Sequence, residues 1–191
     1  MKNKFYILTL GIVFAFIFTT SQAQDKPIRI GLKFGIPNIA GLNAEYVTPL
    51  LGEKLAASVD FSHFSLSSGD VKFSFSYFEL GGNYYFMKKG KGPYGQLSFG
   101  RIGFKGTYSD DILGDGEGKL GINLLNVKIG IKVGNAFYFR PEIGYSSLVG
   151  SSTIKVEYTD PVTKKIITEE EKVPGVLDGG VVFNLGFGVA F

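Results

Sequence analysis

Residues 181–191 read Val181-Val182-Phe183-Asn184-Leu185-Gly186-Phe187-Gly188-Val189-Ala190-Phe191. Val181, Phe183, Leu185, Phe187, Val189 and Phe191 alternate with Val182, Asn184, Gly186, Gly188 and Ala190. This period of two puts every large apolar side chain on one face of a β-strand. The opposite face is too small in its residues to serve as a surface turned to water. Small side chains fit the crowded interior of a narrow barrel, and large apolar ones fit lipid.

The same alternation recurs upstream. Phe137, Phe139, Pro141, Ile143 and Tyr145 stand against Tyr138, Arg140, Glu142 and Gly144, and Leu125, Val127, Ile129, Ile131 and Val133 against Asn126, Lys128, Gly130 and Lys132. Near the start, Ile28, Ile30, Leu32, Phe34 and Ile36 alternate with Arg29, Gly31, Lys33 and Gly35. Leu55–Ser62 and Phe78–Phe86 behave alike. Eight strands follow, over 28–36, 39–50, 54–67, 71–87, 93–108, 119–134, 136–158 and 170–191, most of them long enough for the ~9–11 residues that a tilted strand needs to cross a bilayer. Helical periodicity is absent throughout. The second strand is weakly patterned. The fifth is read with Arg101 in the lumen, which leaves Gln96 and Ser98 facing outward.

The connections alternate in kind. Leu51-Gly52-Glu53, Lys89-Gly90-Lys91-Gly92-Pro93 and Gly134-Asn135 are compact turns, whereas Ser67–Asp70, Ser109–Gly118 and the stretch near Asp160–Lys172 are longer. The tight Pro37-Asn38 link is the exception on the long-loop side. Ser152–Tyr158 and Ile166–Lys172 are both β-prone, with Asp160-Pro161 between them, which predicts a hairpin rising above the barrel.

At the N-terminus, Lys2 and Lys4 precede an almost wholly apolar run from Phe5 to Phe18, and Ser21-Gln22-Ala23 supplies small residues for cleavage. This is the three-part pattern of an export signal, and its apolar run falls short of the ~20 residues of a membrane-spanning helix. Residues 1–23 are read as a signal peptide and 24–191 as a single barrel domain. Cleavage removes two lysines and lowers the net charge from +3 to +1, so the basic balance marks no nucleic-acid partner. The chain has no cysteine and one histidine, which excludes disulfides, thiolate metal sites, a cysteine nucleophile and a lipid-modified N-terminal cysteine.

The chain resembles the small outer-membrane β-barrel family of Gram-negative bacteria, the eight-stranded OmpA/OmpX-like type. The likeness is carried by the export signal, by Gly92-Pro93-Tyr94-Gly95-Gln96-Leu97-Ser98-Phe99-Gly100, by Phe139-Arg140-Pro141-Glu142-Ile143-Gly144-Tyr145 and by the final strand ending in Phe191. It implies an all-β, eight-stranded antiparallel up-and-down transmembrane β-barrel in the outer membrane, with lipid and lipopolysaccharide as surroundings. It also implies that the barrel-assembly machinery reads Phe187, Val189 and Phe191 as a C-terminal signal. Unlike full OmpA-type proteins, the chain is expected to carry no peptidoglycan-binding domain.

Alternation assigns Arg29, Lys33, Glu45, Asp60, Glu79, Arg101, Lys128, Lys132, Arg140 and Glu142 to the lumen. Charges of both signs at that depth must pair, so they are read as an ion-pair plug, with Glu142 or Glu79 on Arg140 or Arg101. Tyr46, Tyr84, Phe86, Tyr94, Tyr108, Phe137 and Tyr145 are read as interface girdles. No catalytic residue, metal or cofactor is expected. The reading is a non-enzymatic envelope protein acting in structure or surface interaction, with the 148–175 loop as the place for an extracellular protein partner.

The alternatives are a narrow channel or small-ligand carrier, a soluble lipocalin-like binder, and a lipid-modifying enzyme. The last would use His63 and Ser65 with Glu79, but the register expected for that hairpin sets His63 opposite Ser74 and Glu79 too far away. Gly114–Lys119 mimics a phosphate loop but has no helix behind it. Asp110, Asp111, Asp115 and Glu117 miss the spacing of a calcium loop.

Overall fold

The computed structural model describes residues 26–110, 114–150, 153–159, 166–172 and 179–191. The export signal read over residues 1–23 lies outside them. Among the described residues ten strands form: β1 (Ile28–Ile36), β2 (Ile39–Val47), β3 (Leu55–Ser68), β4 (Val71–Tyr85), β5 (Gly92–Asp110), β6 (Gly114–Gly134), β7 (Phe137–Leu148), β8 (Thr153–Thr159), β9 (Ile166–Lys172) and β10 (Gly179–Ala190). β1 to β7 pair antiparallel with their chain neighbours, and β10 joins β7 to β1. The sheet therefore closes into an eight-stranded up-and-down barrel. The seam runs from Arg29 opposite Ala190 to Ile36 opposite Phe183. The backbones of Ile28 and Phe191 lock its end with reciprocal bonds of 3.1 and 2.9 Å.

The first six strands fall close to their expected places. The seventh does not continue to residue 158. β7 stops pairing with β6 at Leu148, opposite Leu124, and Gly150 turns the chain with a φ of +83°. β8 then takes up the edge of β6 above that point, from Leu120–Ile154 to Gly116–Tyr158, and β9 pairs with β8. The expected hairpin is present. Residues 160–165 lie outside the described residues, as do 173–178, and β10 begins at Gly179 rather than 170. The turn between β3 and β4 is centred one residue later than expected, at Gly69-Asp70, so His63 faces Ser76 rather than Ser74.

The wall is uneven in height. β1 and β2 have 9 residues each, while β5 has 19 and β6 has 21. At about 3.3 Å per residue, β6 outruns β1 by roughly 40 Å of strand. The lower end carries the compact turns. The upper end has a low sill, made by the Pro37–Asn38 turn and the top of β10, facing a tall sheet of β3 to β6.

The two faces exchange character partway up. In the lower part, exposed side chains are large and apolar: Ile30, Leu32 and Phe34 on β1, Phe78 and Leu80 on β4, Leu97 and Phe99 on β5, Val127 and Ile129 on β6, and Phe183 and Phe187 on β10. One step higher the outer face carries His63, Ser76, Arg101 and Asn123, while the inner face changes from Glu79, Ser98 and Lys128 to Phe75, Ile102 and Leu124. These inner residues form an apolar core with Tyr77 and Ile122, against which Phe64, Phe104, Leu120 and Leu148 pack.

Glycines allow the backbones to close at the seam. Gly31 pairs with Gly188, and a Cβ on Gly188 would strike the Tyr138 hydroxyl and, at 2.5 Å, the Ile30 carbonyl. Gly188→Leu is expected to destabilise the closed barrel by about 1–3 kcal/mol, as overpacking does. The check is the temperature at which the compact, fast-migrating form disappears from gels of detergent samples.

Candidate functional site: the charged lumen

Eight strands enclose an interior just wide enough for side chains to fill. Inward positions of the lower barrel must therefore meet one another across it. Nine charged residues are buried there, with Arg29, Lys33, Lys128, Lys132 and Arg140 balanced by Glu45, Asp60, Glu79 and Glu142. Nine of the ten sequence-assigned lumen charges are thus brought together.

Arg101 is the correction. It is exposed on the outer face, and Gln96 and Ser98, expected outside, are buried inside. The reason is the height of β5. Arg101 lies one step above Phe99, where the outer face has already turned polar, so its charge does not have to be hidden from the apolar band. Tyr94 is a second correction. It is 0% exposed within the lumen, not at a girdle. Tyr46, Tyr84, Phe137 and Tyr145 are exposed on the outer face, as is Phe86 at the lower end. Tyr108 stands high on β5, on the same strand face as Phe104.

Glu142, on β7, accepts from the Tyr94 hydroxyl at 2.6 Å and from Arg140 Nε at 2.9 Å, and lies 3.0 Å from Lys33 Nζ. Lys33 also bridges to Asp60 at 2.5 Å. Glu45 takes Arg140 Nη1 at 2.8 Å, together with Arg29, and the Tyr85 hydroxyl donates to it at 2.9 Å. Glu79 pairs with Lys128 and accepts from Ser98 at 2.8 Å and Asn126 at 3.0 Å. The guanidinium groups of Arg29 and Arg140 lie over the rings of Tyr85 and Tyr94, at 5.3 and 5.2 Å. Lys132 lies 5.1 Å from the Tyr138 ring. Arg29 also donates to the Lys89 carbonyl at 3.2 Å, which ties the lower turn across the barrel end.

The sequence reading gave the neutral members Tyr77, Tyr85, Asn83, Asn126 and Asn184 no part in this network and placed Tyr94 at a girdle. Their signal was their parity, shared with Glu79, Lys128 and Glu142, because a buried carboxylate needs more donors than its ion partner supplies.

The other sequence motifs do not assemble. His63 and Ser65 face outward, where Ser74 donates to Ser65 at 3.1 Å, while Glu79 points into the lumen. Gly114–Lys119 is part of strand β6. Of the acidic group near it, Asp111 and the side chains of Asp110 and Asp115 lie outside the described residues. Glu117 bonds to Lys105 and Lys119, in that order of effect, and these hold its carboxyl below the usual range. Among the described residues no three His, Asp or Glu side chains are placed to hold a metal ion.

A ring of antiparallel strands, apolar without and ionic within over its lower part, defines a closed β-barrel with a side-chain-filled lumen. Among solved structures the chain is similar to Acinetobacter baumannii CarO, at 9% identity and a TM-score of 0.44, covering 89% of this chain and 100% of that one. It is also similar to Acinetobacter baumannii CarO2, at 11% identity and a TM-score of 0.40, covering 87% and 99%. No protein-family model matches the sequence, and no curated protein does.

Glu142→Gln removes a carboxylate from a buried cluster already richer in cations. It is expected to cost about 3–5 kcal/mol, because Lys33 and Arg140 are left without full compensation. Glu117→Gln, on the exposed upper sheet, is expected to leave stability unchanged. Urea unfolding of both variants in lipid vesicles gives the comparison.

Proposed function

We propose that the protein is an integral outer-membrane β-barrel without an open pore, serving envelope structure or surface interaction through its tall upper sheet. The observation that carries this reading is the distribution of side chains on the lower barrel, with large apolar residues outside and interlocked charges inside. A soluble barrel built to hold an apolar ligand in its lumen needs the reverse. Hydrocarbon cannot hydrogen-bond a free strand edge, and closure through β1 and β10 leaves none at that level. Phe187, Val189 and Phe191 lie on the lipid-facing parity of the last strand, where the assembly machinery would meet them during insertion.

The lumen favours a plug over a channel. Glu45, Glu142 and Glu79 are each held from several strands, and an ion crossing the barrel would have to displace bonds from all of them. Above the band, β8 and β9 extend the sheet from β6, and among the described residues β9 is its open edge. An open edge offers backbone donors and acceptors to an extracellular protein partner.

Fractionation of the native host is expected to recover the protein with the outer membrane, and heating is expected to change its gel mobility. Recovery as a soluble protein that stays in solution without detergent overturns the reading. In planar bilayers the plugged lumen is expected to give no stepwise conductance, and regular conductance steps would replace the plug with a channel.

A further inference from the structure

Above the charged cluster, the barrel mouth holds a cavity of about 320 Å³. This lies at the lower end of the range of about 300–1,000 Å³ typical of small-ligand sites. Its tall side is the apolar inner face of the upper sheet: Phe75, Ile102, Phe104, Ile122 and Leu124. Its low side is the sill, with Ile36, Ile39 and Val181. Among the described residues Ser146 is the one polar side chain lining it, and that hydroxyl is already donated to Asn126 at 2.6 Å. Below, Asn126 bonds to the Tyr77 hydroxyl at 3.2 Å and to Glu79, so the floor is a bonded layer above the ion cluster. The cavity is a dead end.

The opening is sideways. Ile36 and Val181 are 65% and 66% exposed, and each lies one step above a residue of the outer apolar band, Phe34 and Phe183. The route from the band over the sill into the cavity is apolar throughout. The inner face of the tall sheet above the cavity is apolar as well, with Leu66, Val71 and Phe73 exposed on it. Ile39 is held at a φ of +55°, a conformation costly for a β-branched residue and easy for asparagine or glycine. An apolar side chain is kept at the sill in spite of that strain.

We propose that the barrel mouth is a lateral binding site for one acyl chain of an outer-leaflet lipid, which crosses the sill at Ile36, Ile39 and Val181 and lies against the inner face of β4 to β6. The occupant is an alkyl chain because the walls offer it contact while offering a charged or polar ligand no partner. It comes from the bilayer because the apolar sill is continuous with the outer band through Phe34 and Phe183. The inference rests on the membrane reading given above.

Gly180 provides the test. It lines the cavity, and a Cβ there would meet no atom within 4 Å, so a side chain can start from it into the cavity space. The full chain is reconstituted in phosphatidylcholine vesicles whose acyl chains carry a photoactivatable diazirine, and the labelled residues are mapped by mass spectrometry. Labelling is expected on the outer band, at Phe183 and Phe187, and also inside, at Phe75, Phe104 or Ile122. Gly180→Phe is expected to lose the interior labels and keep those of the band. Ile39→Asn, which the backbone at that turn accommodates, is expected to weaken the interior labels as well and serves if Gly180→Phe does not fold.

Band labelling without interior labelling overturns the site and leaves the membrane reading intact. Absence of both overturns the membrane reading, and the site with it. Interior labelling unchanged in both variants overturns the proposed route. Interior labelling by a diazirine-bearing free fatty acid added from water, but not by the phospholipid, overturns the membrane lipid as occupant.

Discussion

The carboxylate of Glu142 receives a tyrosine hydroxyl, a guanidinium and an ammonium, and the lower barrel is arranged about that meeting. Tyr94 comes from β5, Arg140 from β7 itself and Lys33 from β1, so one side chain joins three strands spread around the ring. Removing charge from water costs several kcal/mol per ion unless excellent geometry compensates it. A barrel this narrow supplies that geometry only when its strands hold a fixed stagger. Backbone register and charge pairing therefore constrain each other. A slip of one residue along any strand would send its charges outward and its Phe, Leu and Ile side chains in.

That coupling explains what could be read in the chain beforehand. The eight-strand barrel and nine lumen charges follow from alternation alone, because a period of two has only two phases. Arg101 failed for an instructive reason. In β4, β5 and β6 the alternation changes phase: Tyr77-Phe78, Leu124-Leu125 and the stretch Phe99-Gly100-Arg101-Ile102 each break the simple pattern. The in/out alternation of β5 is nevertheless unbroken, with Gln96, Ser98 and Ile102 inward and Arg101 outward, so a reading that sends every polar residue inward must misplace either Arg101 or Gln96 and Ser98. The break was present in the letters, but its meaning depended on knowing that neighbouring strands break at the same level.

Tyr94 illustrates a different limit. Tyrosine near a strand end suits a membrane interface and also suits a buried donor to a carboxylate. Composition does not separate the two, whereas the parity shared with Gln96 and Ser98 does. The course of the chain after β7 was hidden for a third reason. The hairpin of Ser152–Tyr158 was legible, but nothing local to it states that β7 breaks at Leu148 and that pairing along the same edge of β6 resumes two residues out of register, from Leu120 opposite Ile154.

Under the membrane reading proposed above, the exchange of faces on the tall wall would bear on how the molecule holds its depth. Moving the barrel outward would bring Phe78, Phe99 and Leu125 into water, and moving it inward would carry Ser76, Arg101 and Asn123 into hydrocarbon. Both displacements are opposed by the same few residues, which lie next to one another along a continuous hydrogen-bonded sheet. In a bilayer the protein would behave as a float with its waterline written into three strands. Its elevation, and with it the height at which β8 and β9 are displayed, would then be set by the sheet itself.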